Sequence, residues 1–197
     1  MALLYLAGHL QKHHLRVRII DVAIKEVIRD KKFSEKLPQI LEEVETEILS
    51  KIQKKHPKIV GITCYTPEYM EVLRLARKIK KIDPKIKIVV GGIHPTLYPQ
   101  ELLEEKNTPI DYEVIGEGEE TFLELCQRLL RHTQTPFKKI NGIAFLKNNQ
   151  LIKTSLRPLN QNLDSISHPA YNLVDMNYYT QASPYAIRGC FLRSFYL

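Results

Sequence analysis

The residues of this chain able to do chemistry gather in three short stretches. KIVGITCYTPEY (58–69) carries the hydroxyls of Thr63, Tyr65 and Thr66 and the thiol of Cys64. KIVVGGIHPTLYP (87–99) carries the pair Gly91-Gly92 and then His94. DYEVIGEGEETF (111–122) carries Gly116, Glu117 and Gly118, followed by Glu119 and Glu120. Hydroxyls suit hydrogen bonding to a polar ligand or helix capping. Paired glycines let a bulky group lie against bare backbone, or serve a turn needing positive φ. Glutamates at a helix start complement the helix dipole and disfavour a bound phosphate, which wants that terminus free of anions. A single loop histidine such as His94 is either a hydrogen-bonded structural residue or a ligand. Cys64, Cys126 and Cys190 are too far apart in sequence to form a zinc-type pair. No GxGxxG opens the first strand-to-helix turn, and no acceptor aspartate ends a central strand. No Ser-His-Asp or Cys-His set can be placed in one pocket.

Each stretch has one design: an apolar run, a small-residue loop, then a helix start. Such runs read as buried parallel strands, and their loops gather at the carboxyl edge of an open α/β sheet, where ligands bind. The intervening segments fit that frame. A short helix is expected over 2–13 and a strand over 15–23 (LRVRIIDVA). A helix running to about Lys55 follows, with Val44, Ile48 and Ile52 at helical spacing. Thr66-Pro67 suggests a helix cap and first-turn proline. Helices are expected after each strand, the last over about 118–131. Alternating strand and helix imply a doubly wound parallel sheet. The pattern then changes to a hairpin, 140–146 and 150–155, with Asn148-Asn149 at its turn. Residues 1–135 thus form an α/β domain, 136–157 a hairpin appendage, and 158–197 a linker with the first residues of another element.

The 197 residues carry a net charge of +7. Lysines and arginines concentrate at helix ends on the amino edge of the sheet, opposite the ligand loops. They complement helix dipoles there, and without interleaved aromatics they do not indicate nucleic-acid binding. No apolar run reaches the roughly 20 residues of a membrane span. Sparse, odd-numbered cysteines fit a reducing compartment, so a cytoplasmic location is expected. Oligomeric state is not legible.

In order, VGITCYTP, IVVGGIHPT, VIGEGEETF, INGIAF and IRGC resemble the cobalamin-dependent radical S-adenosylmethionine proteins. That group includes methyltransferases and the anaerobic magnesium-protoporphyrin monomethyl ester cyclase type. The resemblance covers nearly the whole chain. It implies a Rossmann-like (flavodoxin-like) parallel sheet with flanking helices that binds cobalamin. It places Thr63, Tyr65, Thr66, Gly91, Gly92, His94, Gly116, Glu117 and Gly118 at the cofactor site, with the glycine pair under the nucleotide tail.

Three departures accompany it. The family's first strand and its loop would precede LLYLAGHL, and in the 2-1-3-4-5 strand order that strand is central. Its absence should leave strand 15–23 without a neighbour and buried peptide groups unpaired. No Asp-x-His-x-x-Gly motif offers a cobalt-ligating histidine. The family's iron–sulfur motif is C-x3-C-x2-C. Cys190 matches its first position as a metal ligand, but Ser194 and Leu197 hold the others. A [4Fe-4S] cluster and S-adenosylmethionine therefore belong only to an intact parent enzyme. The tail FLRSFYL reads as out-of-frame sequence. Genomic DNA lacking cysteine codons in another frame past codon 190 would refute that. Three readings stay open: a cobalamin-binding portion of a radical enzyme, not itself catalytic; a fragment or interaction module with no cofactor; or a domain of the same fold that binds another small molecule such as a flavin or nucleotide.

Overall fold

The structure is a computed structural model that describes residues 2–20, 33–162 and 165–174, with backbone alone for 33–41. Five strands form one sheet in the order β1-β2-β3-β4-β5. They are β1 (Ile59–Thr63), β2 (Lys87–Gly91), β3 (Tyr112–Val114), β4 (Ile143–Lys147) and β5 (Gln150–Lys153). The first three run parallel and the last two antiparallel. The expected parallel sheet is thus one part of a mixed one. The hairpin extends it, β4 pairing Tyr112↔Phe145 and Val114↔Ile143 with β3. Its turn residues Asn148 and Asn149 both have positive φ (53° and 59°), the geometry that matches strand twist in a two-residue hairpin loop.

Side chains of a strand alternate between faces. On one face Val60, Ile62, Ile88 and Val90 pack against α2 (Phe33–Lys55) and α3 (Tyr69–Ile82) through Ile52, Leu73, Ala76 and Ile79. On the other, Ile59, Val89 and Val114 meet α1 (Ala2–Lys12) and α6 (Glu119–Leu129) through Ala7, Leu10, Phe122 and Cys126. Two short helices, α4 (Ile93–Leu97) and α5 (Glu101–Glu104), fill the crossover from β2 to β3.

Several basic residues of the amino edge are held by internal carboxylates. Lys80 and Lys87 reach Asp111 at 2.6 and 2.8 Å. Arg74 and Lys78 both contact the buried Glu45.

The strand expected over 15–23 requires correction in its described part. Leu15 and Val17 are buried and Arg16 and Arg18 exposed, the alternation of a strand, but residues 15–20 join no ladder. The physical reason lies at β1. Cys64 N–H donates to Gly91 O (2.8 Å) and Lys87 N–H to Lys58 O (2.9 Å), so the even-numbered residues of this stretch face β2. In a parallel ladder, alternate residues direct their peptide groups to opposite sides. Ile59, Gly61 and Thr63 therefore point theirs away from β2, and among the described residues nothing pairs with them.

Candidate functional site

A cavity of about 250 Å³ opens where the carboxyl ends of β1, β2 and β3 meet α1 and the start of α6. The sheet supplies its floor. On the face toward α1, β1 presents Gly61 and Thr63, β2 presents Val89 and Gly91, and β3 presents Val114. Leu3, Leu6 and Ala7 of α1 form the opposite wall, and Phe122 of α6 closes one side. The loop Gly116-Glu117-Gly118 forms the rim.

Gly91 and Gly92 do different work. A Cβ on Gly91 would meet only Val114, at an ordinary 3.6 Å. Among the described residues nothing fills that space, which leaves room for a ligand. Gly92 has φ 105°, and a Cβ there would lie 2.8 Å from Thr63 Oγ1 and 3.0 Å from Cys64 O. Its glycine is demanded by backbone conformation and by the close crossing of the β1 loop.

The cavity brings together Thr63, Gly91, Gly92, Gly116, Glu117 and Gly118. It does not include Tyr65, Thr66 or His94 in its lining. His94 is 2% exposed and packs against the rings of Tyr69 (4.9 Å) and Tyr98 (5.5 Å). Its Nδ1 lies 3.4 Å from Thr66 Oγ1 and its Nε2 3.6 Å from Glu101. Its backbone N–H donates to Cys64 O at 3.0 Å, tying the loops after β1 and β2 together. Thr66 opens a 3-10 turn, and Tyr65 takes the cap position expected for Thr66, with its N–H 3.4 Å from the Glu68 carboxylate. Cys190 lies outside the described residues.

Sequence reading missed Gly61 and the whole α1 wall. Gly61 carries one available signal: it is two residues before Thr63, on the same strand face. The α1 contribution has none, because that helix lies far from the sheet loops in sequence.

The electrostatics disfavour a thiolate at Cys64. Burial, then Glu68, Glu113 and Glu101, push the Cys64 thiol up to about 12. A protonated buried thiol is a poor nucleophile. Among the described residues no group of three His, Cys, Asp or Glu could hold a metal ion. No described helix is long and apolar enough to cross a membrane.

The rim is tied down by the chain that leaves β5. Arg157 donates to Thr121 Oγ1 (2.8 Å) and to Glu124 (2.6 Å). Asn160 N–H donates to the Glu117 carboxylate at 2.9 Å. Further on, Ala170 N–H donates to Leu4 O at 2.9 Å, and His168 O lies so close to Gly8 that a Cβ there would sit 2.0 Å from it. His9 Nε2 stands 3.0 Å from Glu120, in ion-pair reach but poorly aligned for a hydrogen bond. One strap thus binds the α1 wall to the start of α6.

A strand-edge cavity floored by small residues, in a sheet wound this way, defines an α/β domain that holds a small molecule at its carboxyl edge. Comparison with known proteins gives the family. A B12 binding domain model matches residues 1–126, and the chain belongs to that family. An uncharacterized methyltransferase of Pyrococcus horikoshii is 33% identical over 195 residues, covering 96% of this chain and 38% of that protein. The anaerobic magnesium-protoporphyrin IX monomethyl ester cyclase of Synechocystis is 32% identical over 138 residues, covering 69% of this chain and 27% of that protein. This chain therefore spans well under half the length of these relatives.

Solved structures share the fold. The radical S-adenosylmethionine methyltransferase TsrM of Kitasatospora setae, with cobalamin and a [4Fe-4S] cluster bound, superposes with TM-score 0.56 at 22% identity. It covers 85% of this chain and 28% of its own. The cobalamin-dependent radical enzyme OxsB, with aqua-cobalamin and S-adenosylmethionine bound, gives TM-score 0.58 at 15% identity, over 73% and 19% of the two chains. The kinship expected from the ordered motifs holds, as does the Rossmann-like fold.

Proposed function

We propose that this chain binds a corrinoid, with the nucleotide tail of the cofactor entering the cavity between α1 and the sheet. The observation that carries this is the floor: Gly61 and Gly91 leave bare backbone on the cavity face, and Gly91 has no structural need to be glycine. A flat, bulky group can lie there, so the residues present fit the cofactor. Thr63 and Glu117 stand at the rim, where a hydroxyl and a carboxylate can bond the polar parts of the tail. In this reading Thr66 and His94 hold the loops in place, and the loop after β3 closes the mouth. The bound cobalt would supply methyl-carrier or radical-partner chemistry. The [4Fe-4S] cluster and S-adenosylmethionine are parts of a whole enzyme of this family, and radical chemistry is not assigned to this chain alone.

The test is titration of purified protein with hydroxocobalamin followed by gel filtration. Corrinoid absorbance should co-elute with the protein. Gly91→Leu should keep its fold by circular dichroism, because its Cβ meets nothing closer than 3.6 Å, and should lose the corrinoid. Full retention by that variant would remove the tail from this cavity. A second reading, an interaction module without cofactor, is favoured by the outer edge of β1, which no described residue pairs. Folded wild-type protein that retains no corrinoid would support it.

A further inference from the structure

We infer that the cavity discriminates among cobamides by their lower base, accepting a benzimidazole and rejecting a purine. This rests on the reading that the nucleotide tail enters the cavity. Among the described residues the polar side chains of the lining are Thr63, Glu117 and Glu119, and all three belong to the carboxyl edge. Two residues down the strands the lining is Gly61, Val89 and Val114, and Leu6, Ala7, Ile19 and Phe122 face them from outside the sheet. None of these side chains can donate or accept a hydrogen bond.

The backbone offers nothing more to a ring lying on the sheet face. Peptide groups of β2 are committed to the ladders with β1 and β3. Those of Gly61 point along the sheet plane toward its open edge, at right angles to the direction in which a stacked ring is met. Nor is the rim fully free to reach inward, because Glu117 already accepts the Asn160 N–H.

The two bases differ in what they would leave unpaired. Dimethylbenzimidazole carries two methyl groups on its outer edge and a single free ring nitrogen. Adenine carries an exocyclic amine and several ring nitrogens around the same outline. In water all of these are hydrated. In an apolar slot each polar group of the purine loses its partner, and an unpaired buried polar group costs far more than a paired one gains. The methyl groups gain contact in the same place. A cavity lined by aliphatic side chains and one phenyl ring therefore separates the bases by the polar groups of the purine, with no residue dedicated to the task.

The experiment compares affinities of the folded wild-type chain for three probes by equilibrium dialysis: hydroxocobalamin, the corresponding adenine-based cobamide, and cobinamide, which lacks the nucleotide tail. Hydroxocobalamin is expected to bind at least tenfold more tightly than the adenine cobamide, and cobinamide to bind weakly. Equal affinity for the two complete cobamides, with cobinamide weak, overturns the discrimination while leaving the tail in the cavity. Cobinamide binding as tightly as hydroxocobalamin overturns the inference through the tail placement itself. Retention of none of the three overturns corrinoid binding and the inference with it.

Discussion

At the scale of single residues, two adjacent glycines separate structure from function. Replacing Gly92 by alanine puts a Cβ at φ 105°, 2.8 Å from Thr63 Oγ1. Urea unfolding should show a loss of about 1–3 kcal/mol, whether or not a corrinoid is present. Gly91, by contrast, should report on the ligand alone.

Glu113 makes a different kind of prediction. It is wholly buried on β3, and its Oε2 accepts the Gln100 N–H at 2.6 Å. Burial pushes its carboxyl up to about 7, outweighing the pull of the backbone N–H groups of Gln100, Leu102 and Leu103; Glu104 raises it further. An acid whose folded pKa is raised is protonated in the folded chain while the unfolded chain has already lost the proton. Its contribution is present below pH 4.5 and is lost as pH rises to about 7. The change amounts to about 3 kcal/mol. Denaturation curves at pH 5, 6, 7 and 8 should show stability falling with pH, and Glu113→Gln should flatten that slope. An unchanged slope in the variant would assign the effect elsewhere.

At the scale of elements, α1 matters most. Its apolar side forms the cavity wall, and contacts from residues 157–162 and 165–170 hold it in place. Gly8 is where the strap crosses, with His168 O against it. Gly8→Ala forces backbone against backbone, where no flexible side chain can give way. The expected cost is about 1–3 kcal/mol, with faster hydrogen exchange at Ala170, whose N–H now bonds Leu4 O. Unchanged exchange there would mean that the strap accommodates the methyl group. The hairpin is the other informative element. Its strands and its Asn148-Asn149 turn were legible because both signals are local. Its position was not, because pairing with β3 joins residues about thirty apart in the chain through backbone groups that carry no sequence signature.

At the scale of the whole molecule, a ligand that binds only the folded chain raises its stability by mass action. Hydroxocobalamin at 100 times its dissociation constant should stabilise the fold by about 2.7 kcal/mol. For a chain of this size that is a rise of roughly 5–10 °C in Tm, readable by far-UV circular dichroism. No rise at saturating ligand would contradict corrinoid binding. The prediction belongs to this scale because the cavity has no single owner: α1, three strands and the start of α6 each supply one side.

The sequence by itself determined the alternation of strand and helix, the three loops at the carboxyl edge and the family, because apolar periodicity and small-residue loops are local properties. It also located Thr63, the glycine pair and the loop 116–118 at one edge. Tertiary structure alone decided which of these face a common cavity. Parity along a strand sends Gly61, Thr63 and Gly91 to one face, and the next loop turns His94 into a cluster of aromatic rings away from it. It also decided that Gly92 is glycine for the backbone and Gly91 for open space. That distinction depends on atoms of Cys64 and Val114, brought near only by packing.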